Sequence, residues 1–233
     1  MSAHFRQAVR RALANPVLQE ALDNNAQRRK AGARQANASL PEVEAVRQQA
    51  RNIRLEVLDD WDSLLARFAA ACETNGLQVL RASSAEEACE HVLRIARLHG
   101  VRLIAKSKSM VSEEIALNPA LEHAGLQVVE TDLGEYILQL RGEPPAHIIT
   151  PALHLRRQEV GRTFSEHLGV PYTDDVSTMT AVARRTLRQV FLTADMGISG
   201  VNMAAADTGT LCLVTNEGNG RMVTTLPRVH VAL

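Results

Sequence analysis

The stretch V-R-L-I-A-K-S-K-S-M-V-S-E-E, residues 101–114, decides how the rest of the chain is read. Five residues of apolar, strand-like character run into two lysines and three serines. A helical pattern then opens with Glu113 and Glu114 in its first turn, where acids suit the helix dipole. The same unit recurs on both sides. L-Q-V-L at 77–80 reads as a strand before a helix over about Ser84–His99, capped by Ser83 or Ser84. L-Q-V-V-E at 126–130 and H-I-I-T at 147–150 read as further strands, with helices over about 154–168 and 179–194. Strands alternating with helices predict an α/β fold with a largely parallel sheet covered on both faces.

The end of the chain changes rhythm. I-S-G-V-N-M-A-A-A at 198–206 and T-L-C-L-V-T at 210–215 flank D-T-G, a hairpin signal. V-H-V-A-L then reads as a last strand. It reaches Leu233 with no polar tail, so truncation of a longer protein at this end is expected. On this reading residues 1–75 are a helical arm and residues 76–233 the α/β domain.

In the arm, Val9, Leu13, Val17 and Leu18 recur at helical spacing. A break is expected over 31–40, with a second helix opening at Pro41 and reaching about Gly76. Residues 1–54 carry ten Lys or Arg against four acids, a local +6 that the remaining residues balance to zero. Such an arm is either a solvated helical hairpin or a docking surface for an acidic partner or another subunit. With 3% aromatics and no net charge, general nucleic-acid binding is not expected. No apolar run approaches a membrane span and no signal core precedes the arm. Cys72, Cys89 and Cys212 are widely spaced, which suits a reducing compartment and three buried small hydrophobes. The expected location is the cytoplasm.

Two segments are candidate sites. Lys106, Ser107, Lys108 and Ser109 stand where a strand ends and a helix begins, a place suited to anions; the alternative is an ordinary capped loop. N-E-G-N-G-R at 216–221 is bent by two glycines whose freedom exposes backbone N–H groups. There Asn216, Gly218, Asn219 and Gly220 would line a ligand. Arg221 would fork a carboxylate or phosphate, and Glu217 would face its reacting end. N–H donors around Glu217 predict a stabilised, ionised carboxylate. A surface Glu217–Arg221 pair is the plainer reading. Gly218 and Gly220 start a dinucleotide fingerprint, but Val223 replaces its third glycine and M-V-T-T-L-P predicts a strand, not a helix. Both loops are expected at carboxyl ends of strands, lining one cleft. Asp207 and Thr208 are expected near it, with Asp207 holding the D-T-G turn through an Asx-type bond. The eight histidines show no H-x-H or H-E-x-x-H, so no metal is expected; His154, after T-P-A-L, is the one candidate among them.

A-K-S-K-S-M-V-S-E-E-I, E-T-D-L-G-E-Y-I-L-Q-L, H-I-I-T-P-A-L-H, G-I-S-G-V-N-M-A-A-A-D-T-G-T and V-T-N-E-G-N-G-R-M-V-T-T-L-P-R-V-H together resemble the lactate-utilisation protein B family. The likeness covers its amino-terminal LUD domain. It implies a component of a three-protein bacterial system that oxidises L-lactate to pyruvate. The implied partners are an iron–sulfur protein and a second LUD protein, with a small anionic ligand at the site. It also implies four-iron, four-sulfur clusters in a ferredoxin-like region that this chain does not include, and no cofactor within the chain itself. A fold similar to ribose-5-phosphate isomerase and the CoA transferases is implied as well. That likeness raises two alternatives: acyl transfer with Glu217 as nucleophile, or a scaffold docking redox partners through the basic helices. The order E-G-N departs from the E-N-G of the transferases.

Overall fold

The computed structural model describes residues 3–215 and 217–233. Its helices are α1 (Ala3–Leu13), α2 (Pro16–Ala38), α3 (Val43–Asp59), α4 (Trp61–Thr74), α5 (Ala85–Leu98), α6 (Met110–Glu114), α7 (Leu117–His123), α8 (Leu133–Arg141), α9 (Arg157–Leu168), α10 (Val176–Thr193) and α11 (Asn219–Thr225). Its strands are β1 (Leu103–Lys106), β2 (Gln127–Glu130), β3 (Met196–Ser199), β4 (Met203–Ala205), β5 (Thr210–Cys212) and β6 (Val229–Ala232). The chain divides into two compact units, residues 1–61 with 145–174, and residues 62–144 with 175–233.

The second unit is built on a four-stranded parallel sheet in the order β2-β1-β3-β6. Ile104 and Ala105 of β1 and Met196 and Ile198 of β3 are fully buried. Cys89, Val92 and Ala96 of α5 and Leu117 and Leu121 of α7 pack with them. Both sheet faces are thus covered, as apolar strands in a parallel sheet require. Asp195 locks the two central strands: its carboxylate accepts the N–H groups of Arg102 (2.9 Å) and Leu103 (3.0 Å). These bonds hold its pKa below the usual carboxylate range. α11 lies directly on β3, because Gly197 has no side chain: a Cβ there would stand 2.0 Å from the carbonyl oxygen of Val223.

β4 and β5 form the expected hairpin around D-T-G, with Gly209 at φ +67°. The bond that fixes the turn comes from Thr208, not Asp207. Thr208 Oγ1 accepts the N–H of Thr210 (3.3 Å) and donates to its hydroxyl (2.8 Å). The hairpin docks on α4 and the turn after it: Arg67 of α4 pairs with Asp207, and Asn75, just past the helix, donates to the Thr208 carbonyl (2.8 Å).

Four expectations are corrected. Residues 77–80 form no strand and join no ladder among the described residues. Residues 147–150 are a bend: Nδ1 of His147 accepts the N–H groups of Ile149 (3.0 Å) and Thr150 (3.3 Å), taking donors a strand would use. M-V-T-T is helical within α11, since contact of fully buried Val223 with the sheet overrides its strand propensity. The arm breaks only at the end of the expected 31–40 window, over residues 39–42 between α2 and α3, and it also breaks before that window. The chain of good helix formers carries α2 through Gly32 to Ala38, and the earlier break is set by Asn15, whose side chain caps α2 ahead of Pro16. Another break falls at Asp60, between α3 and α4.

Candidate functional site: a lysine–carboxylate cluster at the carboxyl edge of the sheet

β1 delivers Lys106 to the carboxyl edge of the sheet with none of its surface exposed. A buried ammonium needs partners. Its Nζ donates to Glu113 of α6 (2.9 Å) and to Glu130, the last residue of β2 (2.5 Å). Burial opposes the charge, but Glu130 and Glu113 outweigh it and hold the Lys106 pKa above its usual value. Glu130 also accepts from the amide of Asn118 in α7 (2.7 Å). Burial raises its pKa, and Lys106 offsets that only in part.

Beside this pair, Lys108 Nζ lies 3.3 Å from Glu135 in the first turn of α8. The Glu135 pKa is raised by burial and then by the neighbouring Glu130, with Lys108 pulling the other way. Glu217 closes the group. Its Oε2 accepts the N–H of Leu133 at the start of α8 (3.1 Å). The residue as a whole is exposed, yet its carboxyl is drawn into that turn. Burial there and the charge of Asp132 raise its pKa, against the pull of the Leu133 N–H and Lys108. The expectation of a stabilised Glu217 charge is therefore corrected: one N–H donor does not offset desolvation plus a neighbouring carboxylate.

The Lys106–Ser109 loop and the turn around Glu217 thus meet at the carboxyl edge of one sheet. Asn219 of α11 reaches Thr131 (3.5 Å), whose hydroxyl bonds the Lys106 carbonyl (2.8 Å). Ser107 and Ser109 serve the scaffold: the Ser107 N–H bonds the Ile198 carbonyl (2.8 Å), and Ser109 caps α6. Gly218 precedes α11 at φ +79°, and Gly220 is buried in its first turn. Arg221 is exposed and makes no ion pair among the described residues, so the plainer alternative, a pair with Glu217, is not formed there. Asn216 lies outside the described residues. Asp207 and Thr208 have their partners in α4 and the turn that follows it rather than in the cluster. His154 belongs to the other unit. Among the described residues no group of three or more His, Cys, Asp or Glu side chains could hold a metal ion.

Sequence reasoning missed the acids. Glu130, Glu135 and Asn118 carry most of the cluster's contacts. The signal was L-Q-V-V-E, a buried strand ending in a carboxylate at the edge where ligands bind.

The raised pKa of Glu135 has a consequence for stability. An acid whose pKa is raised by folding stabilises the fold below its unfolded pKa, and that contribution is lost as pH rises through the folded value. Glu135→Gln should therefore flatten the decline in stability as pH rises above the ordinary glutamate range, about pH 4. Denaturant midpoints of both proteins from that pH upward test it; parallel pH profiles would exclude the assignment.

The LUD domain profile matches residues 65–233. The Escherichia coli K12 protein named "Uncharacterized electron transport protein YkgF" is 42% identical over 98% of this chain and 48% of its own length. "Lactate utilization protein B" of Oceanobacillus iheyensis is 41% identical, over 98% of this chain and 48% of that protein. The Bacillus velezensis protein of the same name is 40% identical over the whole chain and 49% of its own length. The chain spans about half the length of the curated relatives it matches. No solved structure matches it. Among the described residues no helix is long and apolar enough to cross a membrane.

Proposed function

The chain belongs to the LUD domain family, and from that premise we propose that it serves bacterial lactate utilisation as the ligand-binding part of an L-lactate oxidation system. The names of its relatives, lactate utilisation and electron transport, support the role. The observation that carries the site is the meeting of Lys108, Glu135 and Glu217 at the carboxyl edge of the sheet. In this reading Arg221, without an ion pair among the described residues, takes the carboxylate of a lactate- or pyruvate-like ligand. Glu217 faces the reacting end. Its raised proton affinity suits it to exchange a proton with the ligand better than to act as a carboxylate nucleophile. That argument places acyl transfer second.

The same proposal assigns electron transfer to iron–sulfur clusters carried in the rest of the longer relatives or in a partner protein, with a second LUD protein as a further partner. The cytoplasm is the compartment where such a system would meet its substrate.

A thermal-shift series with lactate, pyruvate, CoA and phosphosugars tests the reading. Lactate or pyruvate should raise the melting temperature of the chain. Arg221→Ala should abolish that rise while leaving the unliganded melting temperature nearly unchanged. A rise that survives Arg221→Ala, or one given by CoA alone, would overturn the assignment.

A further inference from the structure

We propose that Glu130 is a proton-holding residue: it carries a hydrogen on Oε2, donated to Oδ1 of Asn118, so that the two side chains close a cyclic acid–amide pair under the site. The two groups are already joined on one side, where Asn118 Nδ2 donates to Glu130 Oε1 at 2.7 Å. The atoms left over are the other oxygen of each group. Glu130 Oε2 and Asn118 Oδ1 are both buried and both lack a hydrogen-bond partner among the described residues. Two orphaned acceptors cannot satisfy each other, and a buried acceptor without a donor is costly. One hydrogen between them satisfies both.

The charges around Glu130 point the same way. Lys106 faces it from β1, Glu113 from α6 and Glu135 from α8, while α7 supplies only the neutral Asn118. Glu113 already pairs with Lys106, and Lys108 is engaged by Glu135. Two ammonium groups thus face Glu113, Glu130 and Glu135, with Glu217 and Asp132 beside them. Carboxyl groups crowded in this way do not all ionise. Glu130, exposed by 3%, is the most buried of the three that face the lysines, and burial drives its proton affinity up. Lys106 stays an ammonium, with Glu113 as its counter-charge. A buried metal ion is the competing way to satisfy the two oxygens, but the acids here form no metal-holding group among the described residues.

The inference concerns the site assigned above, yet it needs no ligand, so its failure and that of the ligand reading are separate results. Infrared spectra of the whole chain at neutral pH, with carbon-13-labelled glutamate, test it directly. A protonated carboxyl band should be present and should vanish in Glu130→Gln. Glutamine places an N–H₂ where the acid O–H stood, so that variant should melt with the wild type. Asn118→Leu should move the band to higher frequency, as expected of an acid that has lost its acceptor. No protonated band in the wild type, a band that persists in Glu130→Gln, or a band unmoved by Asn118→Leu would each overturn the proposal. A melting temperature that rises when sodium or potassium chloride replaces choline chloride at constant ionic strength, and does so only while Glu130 is present, would overturn it in favour of a bound cation.

Discussion

Gly197→Ala should destabilise the chain by about 3 kcal/mol or more and abolish any ligand response with it. The added methyl carbon would stand 2.0 Å from the carbonyl oxygen of Val223 and 3.0 Å from its carbonyl carbon. Both partners are backbone, and Val223 is fully buried, so no side chain can swing aside. The clash is relieved only by lifting α11 from β3. That movement would carry Asn219 away from Thr131 and shift Glu217, which precedes the helix, from the first turn of α8. Gly220→Ala is the control. Its methyl would meet the Thr215 side chain at 3.3 Å, a contact a small shift removes, and alanine favours the helix. Chemical denaturation distinguishes them: Gly197→Ala should lower the midpoint at an unchanged slope, and Gly220→Ala should hardly move it. Equal midpoints for Gly197→Ala and the wild type would show that α11 does not rest on β3 as described.

That contact also explains what the sequence conveyed and what it did not. β1, β2, α5, α9, α10 and the D-T-G hairpin were legible because each has a local signal: a short apolar run, a cap, or a turn dipeptide. Ser84 capping α5 is of this kind. α11 was not legible, because its helical state depends on Gly197, more than twenty residues earlier, leaving room for Val223. Residues 147–150 misled for the opposite reason: four strand-like residues gave way to one imidazole that captured two backbone donors. At the site, glycines and lysines drew attention because they recognise anions in isolation. The carboxylates that engage those lysines come from β2, α6 and α8, and only the parallel pairing of Lys106 with Glu130 brings them together. The lysines are therefore not an open anion cradle. They are largely committed to protein carboxylates, which moves the expected anion contact outward to Arg221.

Lys106→Met should cost about 3 kcal/mol near neutral pH, the second-largest effect expected here. Methionine fills the buried stem of the lysine, so the loss is electrostatic rather than a cavity. Two charge-assisted hydrogen bonds disappear, each contributing roughly 1.5–3 kcal/mol. Added apolar burial offsets part of that sum. Glu113 is left without the ammonium it faces, and Glu130 keeps only the Asn118 amide on Oε1. The defect should shrink toward acid pH, where the deserted Glu113 carboxylate takes up a proton and no longer needs a counter-charge. A second substitution separates the contributions. With Glu130 already protonated, Glu130→Gln should leave the Lys106→Met penalty almost intact, because the charge that Lys106 balances belongs to Glu113. If Glu130 were instead the ionised partner, Glu130→Gln would rescue most of the loss. Urea midpoints of the two single variants and the double variant at two pH values close this cycle. A penalty that Glu130→Gln cancels would place the anion on Glu130 and contradict the arrangement argued above.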